Sequence, residues 1–352
     1  MTPANSRDDA SQGMMFERAF LQSENLVRHA NAGILLAASG GADSTAMLRC
    51  FVAFLQPNAI PAAIHVAHVN HALREHESDN DAMFVRQLAS QFDLPYHETR
   101  LTPDMFAADN SGSLEAAARK LRYDFLQRTA EQNTLRHVAV AHNADDQAET
   151  VLHRIIRGTG IAGLAGIPPV RPLGEAVTLI RPMLPFSRRQ ILAYLDAIKQ
   201  PFCTDSTNAE THYTRNKIRN DLLPQIAVGY NHAVVDALVR LGTQAAEWSE
   251  YIKTQTDVLY ERAVTHHANY VAVQVAALAG VPQLLVRELF VMIWSRQQWN
   301  LRDMTFAHWQ QLAEMTLPQK QSSHKQVFPG VIVAERTAAQ LILQPAQSEP
   351  RT

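Results

Sequence analysis

Two hydrophobic rhythms alternate along the first 225 residues. Residues 14–30 have the polar and apolar faces of an amphipathic helix, and 33–38 form a continuous apolar run, Gly33-Ile34-Leu35-Leu36-Ala37-Ala38, closed by glycines. An unbroken run of that length predicts a strand buried on both faces. Residues 44–56 follow with Met47, Leu48, Phe51, Val52 and Leu55 at helical spacing, and Pro57-Asn58 stops them. The order then repeats: strand 62–69, helix 78–92, short strand 95–100, polar loop 102–112, helix 113–131, strand 137–141 and helix 144–157. Strand and helix at this spacing specify an α/β fold, a Rossmann-like doubly wound parallel sheet whose ligands bind at the carboxyl ends of the strands.

The rhythm changes after residue 157. A Gly- and Pro-rich loop, 157–172, leads to a short strand at 176–180, a helix at 187–198 and a polar segment at 204–220. Beyond Pro224 the alternation is lost: 230–265 is helical in pattern, 270–275 alternates like a strand, Pro282 opens a helix and 327–343 reads as a hairpin. These changes place a domain boundary near 225, between a catalytic domain, 1–225, and a smaller, mainly helical domain, 226–352, with a terminal hairpin.

Composition narrows the classes. The chain has 352 residues, 46% of them hydrophobic and 19% charged, which suits a globular protein with a large core. Its formal charge is −2, and 226–352 holds 10 Lys+Arg and 10 Asp+Glu, so a polyanionic partner must be held by local patches. Cys50 and Cys203 provide no disulfide framework and no CxxC pair. No apolar stretch reaches the ~18 residues of a membrane span, and the polar first residues resemble neither a signal nor a transit peptide. The expected location is the cytosol, without a membrane partner.

Candidate chemistry collects where strands end. Ser39-Gly40-Gly41-Ala42-Asp43-Ser44 joins the first strand to the first α/β helix. Paired glycines bring several backbone N–H groups to one point and the helix start adds its dipole, which makes a phosphate nest; a plain glycine turn is the alternative. No Walker lysine accompanies it. His68-Val69-Asn70-His71-Ala72-Leu73-Arg74 ends the second strand as a nucleotide wall or a solvated loop, while His65 suits the core. Glu115 and Arg119 lie one helical turn apart, either as a phosphate grip or as a surface ion pair, which spacing alone favours. His142, Asp145, Asp146 and Glu149 open another helix, where they serve equally well as helix caps or as a site for an ammonium group or Mg²⁺.

Together these blocks resemble the PP-loop ATP pyrophosphatases and, within them, the tRNA(Ile)-lysidine synthase branch. The resemblance rests on Ser39–Ser44, His68–Arg74, Glu115 to Arg119 with Arg122-Tyr123, His142 with Asp145-Asp146-Gln147 and Glu149-Thr150, Arg157-Gly158-Thr159-Gly160 through Gly166-Ile167, Arg181-Pro182, Asp205–Asn208 and Arg215–Arg219, in family order over roughly two thirds of the chain. It implies ATP-dependent joining of free lysine to C2 of the wobble cytidine in a CAU-anticodon isoleucine tRNA, through an adenylated cytidine. ATP would be held by Ser39, Gly40, Gly41, Ala42, Asp43, Ser44, His68, Asn70 and Arg119, with Asp43 on Mg²⁺. Asp43, Arg119, Asp146 and Glu149 would be catalytic, and Asp145, Asp146, Glu149, Arg215 and Arg219 would bind substrate. Arg181, Arg188, Arg189, Arg215, Lys217 and Arg219 form a local basic cluster, either a contact for the tRNA backbone or a solvated basic face, which the net charge of −2 slightly favours, and 158–166 is either a mobile loop over the site or a packed connection. A homodimer is compatible with the resemblance. The family usually has two histidines before its DDQ; here they are His142-Asn143. Rival readings are a PP-loop tRNA thiolase, disfavoured by two isolated cysteines, a metal-dependent hydrolase using His142, Asp145, Asp146 and Glu149 with His68 and His71, and a non-catalytic relative.

Overall fold

Leu35 points to one face of the first sheet and Ile34 and Leu36 to the other, and all three are fully buried, as a strand covered on both sides requires. They form β1 (Ile34–Ala37) in a computed structural model that describes residues 5–22, 32–58, 64–70, 75–107, 114–204, 214–317 and 324–346. Around β1 the order is α1 (Asn5–Gln22), β1, α2 (Ala42–Asn58), β2 (Ile64–Asn70), α3 (Glu75–Gln91), β3 (Tyr96–Arg100), α4 (Pro103–Ala107), α5 (Leu114–Gln132), β4 (His137–Ala139) and α6 (Ala144–Arg157). Then come α7 (Ile161–Leu164), β5 (Val170–Pro172), β6 (Thr178–Ile180), α8 (Arg188–Ala197), α9 (Thr214–Lys217), a π-helical turn (Ile218–Leu222) and α10 (Leu223–Gly229).

The sheet order is β3-β2-β1-β4-β6-β5. All neighbours pair in parallel except the edge strand β5, which runs antiparallel to β6. Strand order therefore reverses between β1 and β4, and the loops leaving these two strands flank the crevice where such sheets bind ligands. The doubly wound fold expected from the hydrophobic rhythm is the fold observed. One face is covered by α1, α2, α3 and α8, with Phe16, Phe20, Met47, Phe51, Leu88 and Tyr194 packed on Ile34, Leu36 and Val66. The other is covered by α5, whose Tyr123, Leu126 and Ala130 pack on Leu35, Ala67 and Val138. Each large side chain so buried contributes ~1.5–3 kcal/mol.

Helix α1 begins well before the expected residue 14, and Phe16 and Phe20 anchor it on Phe186 and Phe51. The expected helical residues 23–30, the strand-end residues 71–74 and the 205–208 block lie outside the described residues.

The chain divides into two compact units, Met1–Gln244 and Ala245–Thr352. The division falls inside α11 (Val234–Ala263) rather than near 225, because Ile218, Leu223, Val234 and Leu238 pack on Ala148 and Val151 of α6. The second unit contains β7 (Val264–His266), β8 (Val271–Gln274), α12 (Gln283–Arg296), α13 (Phe306–Met315), β9 (His324–Phe328), β10 (Ile332–Arg336) and β11 (Gln340–Pro345). The expected hairpin at 327–343 is part of a three-strand meander, and the strands form an antiparallel sheet in the order β7-β8-β11-β10-β9. Trp294 is fully buried in this unit, with Trp299, Trp309 and Phe328 edge-on at 4.9, 5.4 and 6.4 Å. Trp294→Ala leaves a large cavity there and is expected to cost about 3–5 kcal/mol, read by circular dichroism in a denaturant titration; a loss below 1 kcal/mol would contradict this packing.

Candidate active site

The turn after β1 is shaped by its own hydroxyls. Ser44 Oγ accepts the Ser39 N–H at 3.1 Å and donates to the Gly41 carbonyl at 3.0 Å, and Ser39 Oγ lies 3.2 Å from Ser44 Oγ. The Gly40 carbonyl accepts from Thr45 Oγ1 at 3.1 Å and from the Cys203 N–H at 2.9 Å. Gly40 has φ +90°, which favours glycine, and a Cβ there would be tight, 3.3 Å from Cys203 Sγ. Ala42 and Asp43 then open α2, whose first-turn N–H groups add partial positive charge.

One side chain ties this turn to the next. Asp43 Oδ2 pairs with Arg188 Nη1 at 2.5 Å, and the backbone N–H of Arg188 donates to Asp145 Oδ2 at 2.7 Å. Arg188 is the first residue of α8, so Asp145 satisfies a free N–H at a helix start while the same residue's guanidinium reaches the loop after β1. Asp43 Oδ1 is buried and has no hydrogen-bond partner among the described residues.

At the start of α6, Asn143 and Asp146 form a capping box: Asn143 Oδ1 accepts the Asp146 N–H and Asp146 Oδ2 the Asn143 N–H, both at 3.0 Å. This explains asparagine at the position after His142, since it caps a helix well. Asp146 Oδ1 faces Arg219 Nη2 at 2.7 Å and Arg215 Nη2 at 3.7 Å. Glu149 is 1% exposed; its carboxylate pairs with Arg219 Nε, with Arg219 Nη2 at 3.0 Å and with Arg215 Nε at 3.2 Å. Burial pushes the Glu149 carboxyl up, against the pull of Arg219. Burial also pushes His142 down to about 4, opposed by Asp146 and assisted by Arg181, Arg122 and Arg119. Arg181 Nε donates to His142 Nδ1 at 3.3 Å, so the neutral ring carries its proton on Nε2.

Several expectations change. Arg188, Arg215 and Arg219 do not form an open basic patch with Arg181, Arg189 and Lys217: the first three are paired with carboxylates, and Arg181 is buried, donating to His142 and to the Pro168 carbonyl. In the 158–166 connection the later residues are tied to α6, whereas 158–162 are exposed. Arg154 Nη1 donates to the Gly163 and Gly166 carbonyls, Gln147 Nε2 donates to Ala165 O, and Gln147 Oε1 accepts the Ile167 N–H. His68 is buried, its Nδ1–H donating to the Ala38 carbonyl at 2.9 Å just before the turn, with Nε2 unpartnered. Asn70 instead holds α3 through Ser78 O and Asp79 Oδ1. Arg119 is exposed, its guanidinium carbon 5.1 Å from the centroid of the Tyr123 ring; the Glu115 side chain lies outside the described residues. Sequence reasoning overlooked Cys203, whose backbone closes the turn, and Arg188 as partner of Asp43. The only sequence signal for Arg188 was its place at a Ser-led helix start.

Residues 14–226 match a family model described as the PP-loop domain. The tRNA(Ile)-lysidine synthase of Rhodopirellula baltica is 33% identical over 90% of this chain and 91% of its own length. That of Chlorobaculum tepidum is 37% identical over 70% of this chain and 72% of its own length. The enzyme of Bacteroides thetaiotaomicron is 39% identical over 66% of this chain, which spans about half of that longer relative, 52%. Among solved structures, the U34-tRNA thiolase NcsA of Methanococcus maripaludis shares the fold, with a TM-score of 0.53, 16% identity, and coverage of 68% of this chain and 79% of that one. The chain thus belongs to the tRNA(Ile)-lysidine synthase family of PP-loop proteins.

Proposed function

We propose that the chain joins lysine to C2 of the wobble cytidine in a CAU-anticodon isoleucine tRNA, consuming ATP and releasing pyrophosphate and AMP. The observation that carries this reading is the pairing of opposite sites at one switch point: an amide nest after β1 for phosphates, and the Asp146 and buried Glu149 carboxylates after β4 for a cation. In the first step the cytidine O2 attacks the α-phosphorus and pyrophosphate leaves. In the second the lysine ε-amine attacks C2 and AMP departs with that oxygen.

The chain's own residues supply the rest. Ser39, Gly40, Gly41, Ala42 and Ser44 hold the phosphates, with Arg119 at their edge, in the way fixed donors stabilise charge that develops during transfer. The unpartnered Asp43 Oδ1 suits Mg²⁺, which would neutralise phosphate charge when bound with ATP. Lysine's ammonium takes the place of a guanidinium at Asp146 and Glu149, and Glu149, its carboxyl raised by burial, accepts the proton the amine must lose. His142, held neutral, offers Nε2–H to the reacting groups. The residues beyond 225 bind the body of the tRNA.

The rivals lack comparable support. Burial pushes both thiols up, Cys203 to about 12 and Cys50 further, so neither is a ready thiolate for sulfur transfer. Among the described residues no three or more His, Cys, Asp or Glu are grouped to hold a metal ion, as a hydrolase would need.

Incubation with ATP, Mg²⁺, labelled lysine and the unmodified tRNA is expected to move label to the tRNA with one AMP per lysine; no transfer while ATP binds would reject the reading. Asp43→Ala is expected to slow pyrophosphate release roughly 100-fold or more, and an unchanged rate would remove Asp43 from the first step. His142 adds a pH signature. Its ring charges below about 6.5 when unfolded but only below about 4 when folded, so unfolding takes up a proton between those values. Stability therefore falls as pH drops from 6.5 towards 4, and His142→Gln flattens that slope in chemical denaturation; identical slopes would show that His142 is not held neutral.

A further inference from the structure

Four arginines converge on one tyrosine, with no carboxylate among the described residues paired to them. The Tyr123 ring of α5 has the guanidinium carbons of Arg119, Arg122 and Arg171 at 5.1, 5.2 and 4.9 Å from its centroid. Arg181, leaving β6, adds a fourth charge: burial pushes the Tyr123 hydroxyl up, yet Arg122, Arg119 and Arg181 together bring it below its ordinary value. Arg181 and Tyr123 are buried, and Arg122 Nε is buried without a hydrogen-bond partner among the described residues. Among the described residues none of the four arginines is in an ion pair, in contrast to Arg188, Arg215 and Arg219 nearby. Among the described residues their donors reach neutral acceptors, Arg171 the Pro172 carbonyl, Arg181 the Pro168 carbonyl and His142. Burying guanidinium groups without an anion is costly, so a cluster of this kind favours the entry of an anion.

Its place in the sheet says which anion. The phosphate nest follows the central β1; β2, with His68, lies on one side, and β4, β6 and β5 lie on the other. Arg171 is on β5, Arg181 follows β6, and His142 stands between them and the nest, bonded to Arg181. A nucleotide with its phosphates in the nest and its base towards His68 leaves this second side to the other substrate. Exposed Arg119 stands at the border of the two.

We propose that Arg122, Arg171 and Arg181, organised by the Tyr123 ring, bind a backbone phosphodiester of the RNA substrate on the side of the nest away from His68. The planar guanidinium groups suit bidentate contact with phosphate oxygens, and Tyr123 fixes their spacing by cation–π contact. The site positions the strand and reads no base. It rests on the reading that the chain acts on tRNA.

The test is equilibrium binding of the unmodified isoleucine tRNA to the full chain across a series of KCl concentrations, with ATP binding measured in parallel. Arg171→Gln and Arg122→Gln are each expected to weaken tRNA binding about tenfold and to reduce the slope of log affinity against log salt by about one, with ATP affinity unchanged. Arg171→Lys, which keeps the charge, is expected to retain the slope. Thermal melting matching the parent chain identifies the variants that are folded, and partly exposed Arg171 at the sheet edge tolerates replacement best. A parental affinity and slope in folded variants, or lost ATP affinity with tRNA binding intact, would overturn the proposal. In a parent chain that transfers lysine, those results sink the cluster alone; a parent chain that binds no tRNA sinks the reading beneath it as well.

Discussion

A charge removed from water must have an opposite charge beside it, and the region around the switch point is organised by that constraint. Glu149 is almost wholly enclosed, yet it lies in a crevice rather than in the apolar core, and two arginines have come to it. Arg215 and Arg219 reach it from α9 and the π-helical turn that follows, while Asp146, held by its capping box, shares the same guanidinium groups. The carboxylate pair is thus a cation site already filled by the chain. On the far side of His142 the situation is reversed, with four cations around Tyr123 and no described anion. The two sides of His142 therefore differ in charge, carboxylates paired with arginines on one and arginines without a described carboxylate on the other.

Arg188 makes these halves into one structure. Its backbone N–H caps onto Asp145 after β4 and its side chain reaches Asp43 after β1, so the two loops flanking the switch point are joined through one residue. The same bond leaves the other Asp43 oxygen without a partner among the described residues. Cys203 acts comparably on the glycine turn, through its backbone rather than its thiol.

Much of the scaffold was legible because it is local. The run from Ile34 to Ala37, the paired glycines, and the capping residues at Asn143 and Ser187 each determine structure within a few positions. Edge strand β5 was not, since three residues that include Pro172 carry no periodic signal. Nor was the third strand of the C-terminal meander, whose partner strand fixes it. Within the site, the types of residue at the strand ends pointed to phosphate and ammonium chemistry, but their partners were hidden. Arg188 lies 145 residues from Asp43, and Arg219 lies 70 from Glu149. Arginines that look in sequence like a solvent-facing basic stretch are, once folded, counter-ions of carboxylates far away in the chain, while Arg122, noted only as part of a motif, and Arg171 have no carboxylate partner among the described residues.

The central claim is that the Asp146–Glu149 carboxylates exchange a guanidinium for the ammonium of lysine. The arginine side-chain Nε–H resonances of ¹⁵N-labelled protein report this directly, because the Arg219 signal depends on its bond to Glu149. On titration with lysine in the presence of a non-hydrolysable ATP analogue, the Arg219 or Arg215 resonance should move with the lysine isotherm, and norleucine, which lacks the ε-ammonium, should leave it in place. Saturation by lysine with both resonances unmoved would contradict the account.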